Sequence, residues 1–293
     1  MGEPTFYFGY GSNLDAEDWA AWCRARGADP TAMVEVCSAW LLDHSMRFHY
    51  RSKGRGGGAA DVVQDSRGTA IPGALFTLSE EGWNLMNRKE GHPNVYHQTP
   101  VQVITAQGEA VEAVTYVVQP AQQRSELVGP TEAYAALIRD GLVKRQLPIG
   151  HLNSSIGLLD AKSTIDHVFV YGTLMKGNER WPRMRPWSTE GPVIGSVRGR
   201  LYHLGHYPGL RLDEGGVVHG EVYRCEDIEG ALGELDTVEG VDSVEPSAGL
   251  YLRVPVRVDT KSGTRWAWTY VINQLPSSAV PCLLYTSDAA DDL

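Results

Sequence analysis

Four blocks of this sequence occur twice, in the same order, so any fold proposed for one half has to serve the other. FGYGSNL (Phe8–Leu14) is matched by FVYGTLM (Phe169–Met175). GALFTLS (Gly73–Ser79) is matched by GEVYRCE (Gly220–Glu226), each an apolar alternation running into an acidic helix start. A short helix-like run ending in Glu-Gly follows in both places: SEEGWNLMNRKEG (Ser79–Gly91) and EDIEGALGELDTVEG (Glu226–Gly240). YHQTPVQV (Tyr96–Val103) and YLRVPVRV (Tyr251–Val258) close the series. Such order argues for two copies of one domain.

A chain of 293 residues suits two domains of about 150 residues each. The expected division is a first domain over 1–160, a second over 166–275 and a non-native or disordered tail, set aside, over 276–293. Segments such as AWLLDHSMRFHY, ADVVQDSRGT, AVEAVTYVV, SVRGRLYHLG, GGVVHGEVYR and TRWAWTYVIN alternate with period two, as strands do. Helices are expected at about 16–26, 79–89, 131–145 and 226–237. The third has apolar residues at helical spacing (Tyr134, Leu137, Ile138, Leu142) and a capping residue in Thr131. No equivalent of it follows the last strand of the second copy. Each half therefore reads as α+β, a small mixed sheet or barrel with one to three helices. KGRGGGAADV (Lys53–Val62) reads as a flexible glycine loop.

Composition removes several classes of function. A formal charge of −10 argues against nucleic acid as the main partner, since phosphate neutralisation needs a basic face. No run approaches the roughly 20 apolar residues that span a bilayer. The opening residues carry no basic region followed by an apolar stretch, so no export signal is read and a cytoplasmic location is expected. Cys23, Cys37, Cys225 and Cys282 are scattered without a CxxC pair, which favours reduced thiols over disulfides. CLLYTSDAADD (Cys282–Asp292) resembles translated sequencing adapter and is set aside as non-native, implying a truncated gene. None of the nine histidines sits at a metal-ligand spacing, and His92, His203 and His206 read as surface or packing residues. GYGSNL lacks the third glycine of a dinucleotide fingerprint, since Leu14 stands there.

Two motifs carry the chemistry. In each copy a strand ends at a tyrosine, Tyr10 or Tyr171, and a glycine, Gly11 or Gly172, lets the chain turn sharply. The N–H groups of Gly11, Ser12 and Asn13, or of Gly172, Thr173 and Leu174, can then form an anion-binding nest. The second motif is the carboxylate, Glu90 or Glu239, placed at a helix carboxyl end where the macrodipole disfavours negative charge. That placement predicts a raised pKa, which suits a base working near neutrality.

Taken together, the YGSN and YGTL turns, the Glu-Gly helix ends and the Tyr-led strands Tyr96–Val103 and Tyr251–Val258 resemble the γ-glutamylcyclotransferase family. The first half resembles its YGSN branch, including a late helix opening PTEAY whose tyrosine, here Tyr134, contacts ligand. The second half resembles the shorter YGTL branch related to γ-glutamylamine cyclotransferases, and the whole resembles tandem bacterial members. The resemblance implies two γ-glutamylcyclotransferase-like small mixed β-barrels with flanking helices. It implies a cofactor-free reaction in which a substrate's α-amine attacks its own γ-carbonyl, forming 5-oxoproline and releasing an amine or amino acid. Glu90 and Glu239 would move the proton. Tyr10, Gly11, Ser12, Asn13, Tyr96 and Tyr134 would bind substrate in one half, and Tyr171, Gly172, Thr173, Leu174 and Tyr251 in the other. Asn87 departs from the commoner Asp, which Asp236 keeps. A binding module without turnover, or one catalytic and one degenerate half, fits the same residues. The expected partner is a small γ-glutamyl molecule, with no metal, nucleic acid or membrane; oligomeric state is left open.

Overall fold

The computed structural model describes residues 5–157 and 164–282, apart from 206, 214, 243, 244 and 278. His206 and the adapter-like stretch from 283 onward therefore lie outside the described residues, as does 158–163 at the expected end of the first domain. The chain divides into two compact units, Met1–Thr105 with Val111–Thr164, and Ala106–Ala110 with Ile165–Leu293.

In the first unit the strands are β1 (Phe6–Gly9), β2 (Met33–Leu42), β3 (His44–Ser52), β4 (Gly57–Gln64), β5 (Ala70–Leu78), β6 (Tyr96–Thr105) and β7 (Ala110–Val118). Five of them close a barrel in the order β1-β5-β2-β6-β7, sealed by a parallel β1–β7 pairing; β3 and β4 form a separate hairpin. The helices are α1 (Ala16–Arg24), α2 (Glu80–Glu90), α3 (Glu132–Lys144) and α4 (Gly150–Ser155). In the second unit the strands are β8 (His167–Val170), β9 (Val193–Arg198), β10 (Arg200–His203), β11 (Pro208–Arg211), β12 (Val217–Arg224), β13 (Tyr251–Thr260), β14 (Gly263–Ile272) and β15 (Val280–Pro281). Its barrel, β12-β8-β14-β13-β9, has the same cyclic order when β8, β12, β9, β13 and β14 are set against β1, β5, β2, β6 and β7. Its helices are α5 (Trp181–Met184) and α6 (Ile228–Glu239), and α6 stands where α2 does.

The matched blocks have matched reasons. Phe8 and Phe169 are fully buried barrel residues. Each lies over a glycine on the neighbouring strand: a Cβ on Gly73 would sit 2.7 Å from the Phe8 ring, and one on Gly220 2.7 Å from the Phe169 ring. No larger residue fits beneath either ring. Thr115 donates its hydroxyl proton to the Phe8 carbonyl at 2.9 Å, and Thr269 does the same to Phe169 at 2.9 Å. These bonds tie the closing strand to the first in both barrels.

The helices that bear the glutamates start on side-chain caps and stop on glycine. Ser79 accepts from the Gly82 N–H, and Asp227 from Gly230. Gly91 (φ 66°) and Gly240 (φ 64°) take the left-handed conformation that ends a helix. Glu90 and Glu239 are thereby the last helical residue in each case.

Two expectations are corrected. The glycine segment at 53–62 is a turn only to Gly56; from Gly57 it is strand β4, buried through Val62. The glycines there answer to packing, since a Cβ on Gly58 would collide with the Val128 carbonyl at 1.8 Å. The tail set aside from 276 begins in ordered pairing, because Val280 and Pro281 pair with His203 and Tyr202 of β10. Between Ile272 and Cys282 the described residues hold no counterpart of α3.

Candidate active sites

In the first unit β1 delivers Tyr10 to the barrel mouth and the chain then tightens into a 3₁₀ turn, Ser12–Leu14. As leading residues of that turn, Gly11, Ser12 and Asn13 have N–H groups with no carbonyl inside it to satisfy them. Helix α3 backs the turn closely: a Cβ on Gly141 would meet Leu14 at 2.6 Å, and Arg145 donates to the Leu14 carbonyl at 2.8 Å. A pocket of about 300 Å³ is lined there by Tyr7, Tyr10, Gly11, Ser12, Asn13, Ala60, Glu90, Tyr96, Tyr116 and Tyr134. All seven residues singled out in this half are thus brought together.

Hydrogen bonds lock the pocket walls. Tyr10 donates to the Tyr116 carbonyl at 2.6 Å, and Tyr96 to the Ala60 carbonyl at 2.9 Å. The Tyr134 hydroxyl accepts from the Ala60 N–H at 3.2 Å. Burial pushes the Tyr116 and Tyr134 phenols up to about 12, so both remain neutral. Glu90 accepts from the Asn13 side-chain amide at 2.8 Å; the same amide reaches the Tyr7 hydroxyl at 2.8 Å. Behind this pair, Asp18 on α1 takes two hydrogen bonds from Arg55, at 2.7 and 2.6 Å, and Arg55 also donates to the Ser12 hydroxyl at 3.0 Å. Arg55 comes from the β3–β4 turn, so that turn reinforces the YGSN segment.

The second unit repeats the frame. A pocket of about 380 Å³ is lined by Tyr171, Gly172, Thr173, Leu174, Glu239 and Tyr251, joined by Arg180, Tyr207, Pro208, Thr269 and Tyr270 among others. The six residues singled out in this half are brought together as well. Tyr171 donates to the Tyr270 carbonyl at 2.7 Å, as Tyr10 does to Tyr116, and Tyr251 donates to the Pro208 carbonyl at 2.7 Å.

The carboxylate has different company here. Glu239 Oε1 lies 3.8 Å from Arg180 Nη1, and burial raises its pKa to about 7 despite that guanidinium. Arg180 is carried by the loop after the YGTL turn. Its N–H donates to the Thr173 carbonyl at 2.8 Å, and buried Glu221 accepts from the Lys176 N–H at 2.7 Å and from the Tyr223 hydroxyl at 2.6 Å.

A family model described as gamma-glutamyl cyclotransferase, AIG2-like, matches residues 7–136 and again 168–287. The chain belongs to this family. The gamma-glutamylcyclotransferase family protein YtfP of Escherichia coli strain K12 is 32% identical over 108 residues, covering 35% of this chain and 80% of that protein. The gamma-L-glutamyl-butirosin B gamma-glutamyl cyclotransferase of Niallia circulans is 33% identical over 117 residues, 40% of this chain and 72% of that protein. Among solved structures, one of a gamma-glutamyl cyclotransferase aligns with a TM-score of 0.44 at 23% identity, covering 55% of this chain and 89% of its own.

Against that family frame, several lining residues escaped the sequence reading. Tyr116 and Tyr270 sit in a fifth matched pair, AVTYVV (113–118) and AWTYVI (267–272), which alignment of the two halves reveals. Tyr116 donates to Asn87 Oδ1 at 2.7 Å, where Gln98 also donates at 3.0 Å; Tyr270 and Arg253 donate to Asp236, each at 2.9 Å. The departure at Asn87 is therefore balanced, with a neutral amide pair replacing a carboxylate and a guanidinium. Arg55, Lys89, Asp18 and Arg180 carried no signal, since nothing local distinguishes them from solvated charges. Among the described residues no group of three or more His, Cys, Asp or Glu could hold a metal ion, and no helix is long and apolar enough to cross a membrane.

Proposed function

We propose that each half of this chain is a γ-glutamyl cyclotransferase site, converting a γ-glutamyl amino acid, peptide or amine to 5-oxoproline and the free amine. One observation carries the reading: in both units a glutamate ending a glycine-capped helix closes a pocket built on the Tyr-Gly turn. The two relatives are named for the same reaction class.

The reaction asks little of so small a site. Amine and carbonyl already belong to one molecule, and well-oriented intramolecular reactions reach effective molarities on the order of 10⁵ M. What remains is to hold the folded conformer, remove a proton and accommodate the oxyanion. Glu90 or Glu239 accepts the α-ammonium proton, and the freed amine attacks the γ-carbonyl carbon. The same carboxyl group returns that proton to the leaving nitrogen as the C–N bond breaks, and the second proton, shed by the attacking nitrogen as it becomes the lactam N–H, leaves on the released amine, so protons balance without an outside acid. The turn amides of Gly11–Asn13 or Gly172–Leu174 supply donors for the glutamyl end or the oxyanion. The neutral tyrosines shape the walls.

The test is a panel of γ-glutamyl amino acids, peptides and amines, with 5-oxoproline as readout, on wild type, Glu90→Gln and Glu239→Gln. Release by wild type, with each variant losing one component of the rate, is the expected result. No 5-oxoproline from any compound, with binding retained in calorimetry, would instead identify a binding module.

A further inference from the structure

Lys89, the residue before the glutamate of the first site, is a lysine where surface exposure would be ordinary. Yet its side chain is only 5% exposed. Nζ donates to Asn13 Oδ1 at 2.5 Å and lies 3.4 Å from Asp18 Oδ2. Asn13 in turn directs Nδ2 at Glu90 Oε1. An ammonium only donates and an ionised carboxylate only accepts, so an amide between them has one satisfying orientation. Rotated by half a turn, it would set its NH₂ against the ammonium and its carbonyl against the carboxylate. The second unit drops both parts of the device at once: Leu174 stands at the place of Asn13 and Val238 at the place of Lys89. A lysine without the amide would be a buried cation short of a partner, and an amide without the lysine would be held only from its NH₂ side, by Glu90 and the Tyr7 hydroxyl.

We propose that Lys89 is a positioning residue of the first site, acting through Asn13: it locks the amide so that an N–H donor stays on Glu90 and holds the carboxylate in one place for proton transfer. The proposal rests on the reading of Glu90 as the base. Asp18 and Arg55 complete the surroundings of the ammonium, Asp18 by contact and Arg55 through Asp18.

The experiment is a double-mutant cycle in the full chain carrying Glu239→Gln, so that only the first site reports. Lys89→Met is expected to lower kcat roughly tenfold or more, the worth of one hydrogen bond to a charged group, with KM nearly unchanged. In an Asn13→Leu background the same substitution is expected to cost nothing further. Equal losses in both backgrounds would overturn the proposal, because Lys89 would then act by charge or by folding. A rise in KM with kcat intact would also overturn it. A second measurement is independent of turnover. With ¹⁵N-labelled asparagine, the side-chain NH₂ signals of Asn13, identified by their loss in Asn13→Leu, should shift and broaden in Lys89→Met. Unchanged signals would sink the proposal, even if the chain releases no 5-oxoproline and the cyclotransferase reading has already failed.

Discussion

The two barrels share a skeleton and differ in how they treat one carboxylate. Tyr10 and Tyr171 make the same bond to the closing strand, Thr115 and Thr269 another, and Gly73 and Gly220 receive the same phenylalanine ring. Around the glutamates the likeness stops. Glu90 is held by an amide donor backed by a buried lysine and an arginine–aspartate pair. Glu239 shares its pocket with Leu174, which stands in the amide's place, and has a guanidinium at 3.8 Å. The frame, set by packing, tolerates little. The neighbours of the glutamate vary in coupled groups, Asn13 with Lys89 and Asn87 with Gln98, because a buried donor or charge changes safely only together with its partner.

The comparison breaks most sharply at the glutamates. With the other site silenced, Glu90→Gln and Glu239→Gln should each lower 5-oxoproline release by about two to four orders of magnitude; loss from one alone would mean the other half is scaffold. The next largest effect concerns coupling. Arg253→Gln leaves Asp236 buried without its guanidinium, and such breakage costs about 3–5 kcal/mol, a fall in the melting temperature of the second unit on the order of 10 °C. Adding Asp236→Asn, which recreates the neutral trio of the first unit, should recover most of it. If the double variant melts as low as the single, the two networks are not interchangeable.

Two pH measurements sharpen the contrast. Proton abstraction needs the carboxylate, so in Glu90→Gln the remaining kcat/KM should fall as pH drops below about 7, where Glu239 takes up its proton. The same raised pKa has a stability sign. The protonated carboxyl favours the folded state fully below the ordinary glutamate value of 4.5, and this advantage is lost as pH climbs to about 7. Glu239→Gln should therefore flatten the stability profile in that window, as melts across pH would show. The smallest effect is expected from Arg180→Met. Arg180 is the group that lowers the Glu239 pKa, so its loss should move the acid limb upward, weakly because the pair is partly exposed and screened. A downward move would exclude Arg180 as the neighbour that matters.

Much of this was written locally. The tandem order, the sharp turn after each tyrosine and the helix ending in Glu-Gly are all legible because each depends on neighbours a few residues away. A glycine without Cβ can turn or cap wherever it stands, and four helices were placed to within a few residues by capping and periodicity. The glycine segment of β4 misled for the opposite reason: Gly58 is small because the Val128 carbonyl lies against it, far along the chain.

What the sequence by itself determined is the repeated barrel, the two turns and the two glutamates, since turn and helix chemistry is local. Tertiary structure alone decided what each glutamate meets. Lys89 reaches Asn13 across 76 positions and Arg55 reaches Asp18 across 37. Whether a charged side chain is solvated or buried against a partner is a property of the packed chain, and no spacing in the sequence encodes it.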